Sequence, residues 1–109
     1  MFAIVDLATG VEGFSGSVVP EINVYPNPFS DEVTIEIKLV KDSEIQVEVL
    51  NQLGQRVKTI TTKKQLTSGV HQLTWDGRNS GNGEVAPGIY HVRIEIDDSV
   101  IHRKIVLSK

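Results

Sequence analysis

Cysteine is absent from this chain. That excludes a disulfide scaffold, a thiolate metal site and a cysteine nucleophile. Aromatic residues are scarce at 6%, with a single tryptophan. A core must therefore be built from Val, Ile and Leu, side chains suited to a pleated surface. Positive charge is missing from the whole opening stretch, since no Lys or Arg precedes Lys38. The net charge is −3, and nucleic-acid binding, which needs a clustered basic face, is not expected. No run approaches the roughly 18 apolar residues of a membrane helix, so no transmembrane segment is expected. The start, Met1 to Leu7, lacks a positive region and carries Asp6 in its short apolar run. It makes a poor signal peptide, so either the protein stays in the cytoplasm or, the reading we favour, the chain is a fragment of a longer protein with Met1 as a cloned start.

What is present fits one domain of 109 residues with 39% hydrophobic content, long enough to bury one modest core without staples. Gly10, Gly13, Ser15, Gly16, Ser17 and Pro20 punctuate a linker. We read 1–21 as a linker or the tail of an upstream passenger, and 22–109 as the folded domain. Ile22 to Tyr25 is a short strand ended by Pro26 and Pro28, which cannot donate ladder hydrogen bonds. Asn27, preceding a proline, is pushed toward extended geometry.

From Glu32 to Val40 the pattern alternates, with Val33, Ile35, Ile37 and Leu39 on one face. Ile45, Val47 and Val49 continue the inward set, and Gln46 and Glu48 point outward. Asn51 to Gly54 is a turn in which Gly54 supplies positive φ. Gln55 to Thr62 is a further strand with Val57 and Ile60 inward. Leu73 and Trp75 share a face with His71. Gly88 to Ile96 places Tyr90, Val92, Ile94 and Ile96 inward and His91 outward. A tight connection at Asp97-Asp98-Ser99 leads to a last strand, Val100 to Leu107. Short strands at this spacing predict an all-β fold: an Ig-like antiparallel β-sandwich of about seven strands.

Candidate chemistry is thin. No Gly-x-Ser-x-Gly elbow occurs, and Asp97-Asp98 falls in a turn where carboxylates are ordinarily solvated. We expect no enzyme and no cofactor. Asp76 to Glu84 supplies oxygen ligands in a Gly/Asn-rich loop, a weak calcium-like pattern that misses the EF-hand spacing and holds Arg78. A plain turn-rich loop is the alternative. His71, His91 and His102 have no spacing that predicts a zinc site. Pro26 and Pro28 are either a strand-ending kink or an extended segment for a partner. Gly88 and Tyr90 mark a tight strand start with a ring at the core rim. Arg103, Lys104 and Lys109 are either a solvated edge or a strand open to capture.

In order, Tyr25-Pro26-Asn27-Pro28-Phe29, the Leu53-Gly54 turn, Gly69-Val70-His71, Trp75-Asp76-Gly77, Gly88-Ile89-Tyr90 and the lysine-bearing last strand resemble a known family. The chain from Val24 to Lys109 is similar to the type A C-terminal sorting domain of the type IX (Por) secretion system. That resemblance implies a signal that directs an N-terminal cargo across the outer membrane. The cargo would cross the periplasm, meet the type IX outer-membrane translocon, and be freed of the domain by a sortase-like peptidase. It would end at the cell surface or secreted. The resemblance implies translocon recognition through Pro26, Pro28, Gly88, Tyr90, Lys104 and Lys109, and cleavage within Gly13 to Ile22. The spacing between the last two lysines is one residue longer than in some variants. The Trp75-Asp76-Gly77 to Tyr90 stretch also resembles the Ig-like domain of the flagellar hook-capping protein, which implies an assembly role. An accessory β-sandwich of an extracellular enzyme is a third possibility.

Overall fold

The computed structural model describes residues 20–108. All but the last two residues of the expected tail, 1–21, therefore lie outside the described range, as does Lys109. Seven strands follow in order: β1 (Glu21–Tyr25), β2 (Val33–Leu39), β3 (Ser43–Leu50), β4 (Arg56–Leu66), β5 (Gly69–Trp75), β6 (Gly88–Ile96) and β7 (Ser99–Leu107). They form a three-stranded sheet, β1-β2-β5, and a four-stranded sheet, β4-β3-β6-β7, with antiparallel pairing throughout. The expected seven-stranded sandwich is what the chain adopts.

The reason is the period-two burial of its apolar residues. Val33, Ile35 and Ile37 of β2 are fully buried, as are Ile45, Val47 and Val49 of β3 and Val92 and Ile94 of β6. Each sheet thus offers one apolar face, and only a second layer can cover it. Burying a Val or Ile side chain contributes roughly 1.5–3 kcal/mol, so these positions dominate the fold.

Two details differ from the sequence reading. β4 runs four residues beyond Thr62, to Leu66. Its pairing with β3 slips between Ile45 and Val47, between Val47 and Glu48, and between Val49 and Leu50. Such bulges shift the alternation, which lets Val57 and Ile60, three residues apart, both pack against the core. Glu48 faces away from the core as expected, yet its side chain is only 11% exposed. Arg56 and Arg93 flank it at 3.4 and 3.5 Å.

The turns follow their residues. Gly54 sits at φ +82, and Asn51 Oδ1 accepts the N–H groups of Leu53 and Gln55. Asp97, at φ 51, closes the β6–β7 connection. Its Oδ1 accepts the Glu44 N–H at 3.0 Å. That hydrogen bond is the main cause holding its carboxyl below the ordinary value.

Candidate functional site

One end of the sandwich gathers most of the segments singled out in the sequence. β1 ends there at Tyr25, paired with Thr34. Trp75, at the end of β5, pairs with Val33. Gly88 opens β6 opposite Leu107 at the close of β7. Residues far apart in sequence are therefore neighbours in space, held by antiparallel register rather than by local turns.

Trp75 is the centre of this end. It is 1% exposed. Phe29 packs on it with ring centroids 5.6 Å apart, and Tyr90 meets it edge-on at 5.4 Å. Edge-to-face contact suits the ring quadrupole and adds to the burial of area. The polar tips are satisfied: Trp75 Nε1 donates to the Arg78 carbonyl at 2.8 Å, and Tyr90 Oη donates to the Ala86 carbonyl. Gly77, at φ +76, brings the backbone against Leu107, whose methyl carbons lie 3.6 and 3.8 Å from where a Cβ would stand.

The Pro26–Phe29 segment lies along the outer edge of β7. Both X–Pro bonds in it, Tyr25–Pro26 and Asn27–Pro28, are cis. Phe29 N–H donates to the Val106 carbonyl at 2.9 Å, and Ser108 N–H donates to the Phe29 carbonyl at 2.8 Å. The Phe29–Leu107 bridge is parallel. Asn27 fills the next rung with its side chain: Nδ2 donates to the Lys104 carbonyl at 3.0 Å, and Oδ1 accepts the Val106 N–H at 2.9 Å. The sequence marked Asn27 only as extended. Its role as a surrogate strand residue depends on where β7 passes, and no local pattern encodes that.

Of the six residues expected to carry recognition, five can be placed. Pro26 and Pro28 are exposed, flanking Asn27. Gly88, at φ +148, is half-buried opposite Leu107. Tyr90 is buried opposite Ile105, its ring serving the core. Lys104 is exposed on β7, its carbonyl held by Asn27. Lys109 lies outside the described residues. The structure thus places Pro26, Pro28 and Lys104 on the β7 edge, and Gly88 and Tyr90 behind it on the interior strand β6.

The Asp76–Glu84 loop is organised around its own cation. Arg78 pairs with Asp76 at 4.0 Å and Glu84 at 3.5 Å, and donates to the Asn82 carbonyl at 3.0 Å. Asn79 Oδ1 accepts the N–H groups of Gly81 and Gly83. A guanidinium thus sits where a metal would need the carboxylates. Among the described residues, no group of three or more His, Asp or Glu is placed to hold a metal ion.

The structure does join two histidines that spacing alone left apart. His91 of β6 and His102 of β7 line one shallow hollow of about 330 Å³ with Leu50, Asn51, Gln52 and Gly54. The two-residue Asp97-Asp98 turn fixes the β6–β7 register and sets them as diagonal neighbours. His71 stands apart, with Nε2 2.6 Å from the Thr67 carbonyl.

With this geometry in hand, three comparisons bear on the chain. The family model described as the FlgD Ig-like domain matches residues 10–99. Among solved structures, dimeric latent PorU from Porphyromonas gingivalis is similar at a TM-score of 0.65 and 18% identity, over 82% of this chain and 9% of that one. PorZ, an essential bacterial surface component of the type-IX secretion system of the same organism, is similar at a TM-score of 0.55 and 22% identity, over 81% of this chain and 11% of that one. The chain spans only these small fractions of either neighbour's length, and at such identities the likeness is one of fold. No curated protein matches the chain in sequence.

Proposed function

The chain belongs to the FlgD Ig-like domain family, and from that premise we propose that it serves as a C-terminal sorting domain for type IX secretion. The observation that carries this reading is that Pro26–Phe29 runs along the edge strand β7 with Pro26, Pro28 and Lys104 exposed there, backed from the interior strand β6 by Gly88 and Tyr90 opposite Leu107 and Ile105. A recognition face needs accessible groups on a rigid support, and the Trp75 cluster supplies the support. The fold's occurrence in two proteins tied by name or title to type IX secretion favours this reading.

The proposed work is binding. An upstream cargo passes through the periplasm, and the outer-membrane translocon engages the exposed edge of the folded domain. A sortase-like peptidase then cuts before the domain, within 13–22, and the cargo reaches the surface or the medium. Among the described residues no helix is long and apolar enough to cross a membrane.

Export tests this. The full chain is fused behind a fluorescent protein with a periplasmic signal, in a host with a type IX system. The expected result is fluorescence at the surface or in the medium; an intact fusion held in the periplasm overturns the reading. Removing 104–109 is a poor control, because it also deletes the buried Ile105 and Leu107. Lys104→Glu, at an exposed position, probes recognition and should lower export while leaving folding unchanged.

The family match favours a second reading, an assembly role of the hook-capping kind. Co-purification with filament components, together with failed export, would select it.

A further inference from the structure

β7 is an edge strand, and among the described residues only part of its outer edge is covered. Along an antiparallel strand the backbone groups alternate between the partner and the open side. Lys104 and Val106 direct their free groups to Asn27 and Phe29. By the same alternation Val100 and His102 direct theirs away from β6, beyond the reach of that segment. The His102 carbonyl is met by the Arg103 guanidinium, with Nη1 at 3.0 Å.

Arg103 occupies an unusual place. It shares the core-facing side of β7 with Ile101, Ile105 and Leu107 and stands opposite the fully buried Val92. It is nonetheless exposed. The sequence here is His102-Arg103-Lys104, in a chain whose net charge is −3. The carboxylates nearest in register are already engaged: Arg93 lies 3.5 Å from Glu48 and 3.3 Å from Glu95.

We propose that the open half of β7, Val100 to Arg103, is a strand-addition site for an extended acidic segment of a partner protein. The edge is competent for pairing, since Phe29 already pairs with it in parallel. An incoming backbone N–H takes the His102 carbonyl and releases the Arg103 guanidinium to a carboxylate of the same segment. Basic edge residues and an inward-facing charge also disfavour pairing of two copies, because like charges would meet. The same groups that repel a second copy select an acidic strand. This deepens the sorting reading by naming the partner's chemistry, and rests on it for the partner's cellular identity. The test uses the isolated chain, so binding and export can fail separately.

The probe is a fluorescein-labelled Glu-Val-Glu-Val-Glu peptide titrated with the full chain and followed by anisotropy. Its Lys-Val-Lys-Val-Lys counterpart and a fully N-methylated acidic form are the comparators. The acidic peptide is expected to bind about tenfold more tightly than either, with backbone amide NMR shifts centred on Val100 to Arg103. Arg103→Glu should weaken acidic-peptide binding about tenfold. Absence of binding, equal binding of the N-methylated or Lys peptide, shifts centred elsewhere, or a β7-mediated dimer in place of peptide binding overturns the proposal. The N-methylated comparison requires no variant, so a poorly folded Arg103→Glu leaves the test intact.

Discussion

Asn27 accepts the backbone N–H of Val106 through its Oδ1 at 2.9 Å, across 79 residues of sequence. The other half of the same carboxamide donates to the Lys104 carbonyl. One side chain thereby ties the segment after the first strand to the last strand, replacing a rung of backbone pairing. Asn27→Ala removes both bonds and leaves two edge groups to water. We expect a loss of about 1–2 kcal/mol in urea unfolding, with faster hydrogen exchange at the Val106 amide. Unchanged exchange at that amide would remove the latch from the account.

Trp75 is buried between Phe29 and Tyr90. Trp75→Ala should cost about 3–5 kcal/mol through the cavity it opens. Trp75→Phe should cost less, losing chiefly the indole bond to the Arg78 carbonyl. Circular dichroism must follow the unfolding, because Trp75 is the sole tryptophan.

Gly88 has open space where a Cβ would stand, but its φ is +148. Gly88→Ala therefore meets backbone strain without a clash, and we expect about 1–3 kcal/mol of destabilisation. A melting temperature equal to wild type would show that the strand start relaxes to another conformation.

Asp97 gives the acid limb of stability a definite sign. Its carboxyl is held below the ordinary 3.8, first by the Glu44 N–H, against desolvation, with smaller help from Ser43 and Lys41. A depressed folded value means stability that is present above the unfolded value and lost as pH falls through the folded one. Stability should thus decline from about pH 4 downward. Asp97→Asn, which tolerates φ 51, should flatten part of that decline. Glu21 acts in the same direction, held low by Asn23 and then Lys38, so some slope should remain. An undiminished slope in Asp97→Asn would assign the acid limb to other groups.

Local pattern carried much of the fold. Val33, Ile35, Ile37 and Leu39 announce β2 and its buried face, and Tyr90, Val92, Ile94 and Ile96 do the same for β6. Positive φ at Gly54 follows from turn chemistry. What pattern could not carry was pairing between distant elements. The bulges of β4 arise from its register on β3, which is why Val57 and Ile60 break strict alternation. Asn27, His102 and Arg103 acquire their roles from the course of β7 past other strands. For the candidate site, the order of motifs suggested which residues belong together, while the edge that joins Pro26 to Lys104 emerged only in three dimensions.

The pairing of Phe29 with Leu107 also bears on the order in which the protein can be made. During synthesis Phe29 leaves the ribosome long before Leu107. Until the final strand follows, the Phe29 ring and the Trp75 face lack their covering, and the core stays incomplete. Closure thus waits for β7 to emerge, as expected for contacts of high sequence separation. A chain synthesised only as far as β6 would leave this end of the core uncovered, apolar surface of the kind that aggregates unless protected.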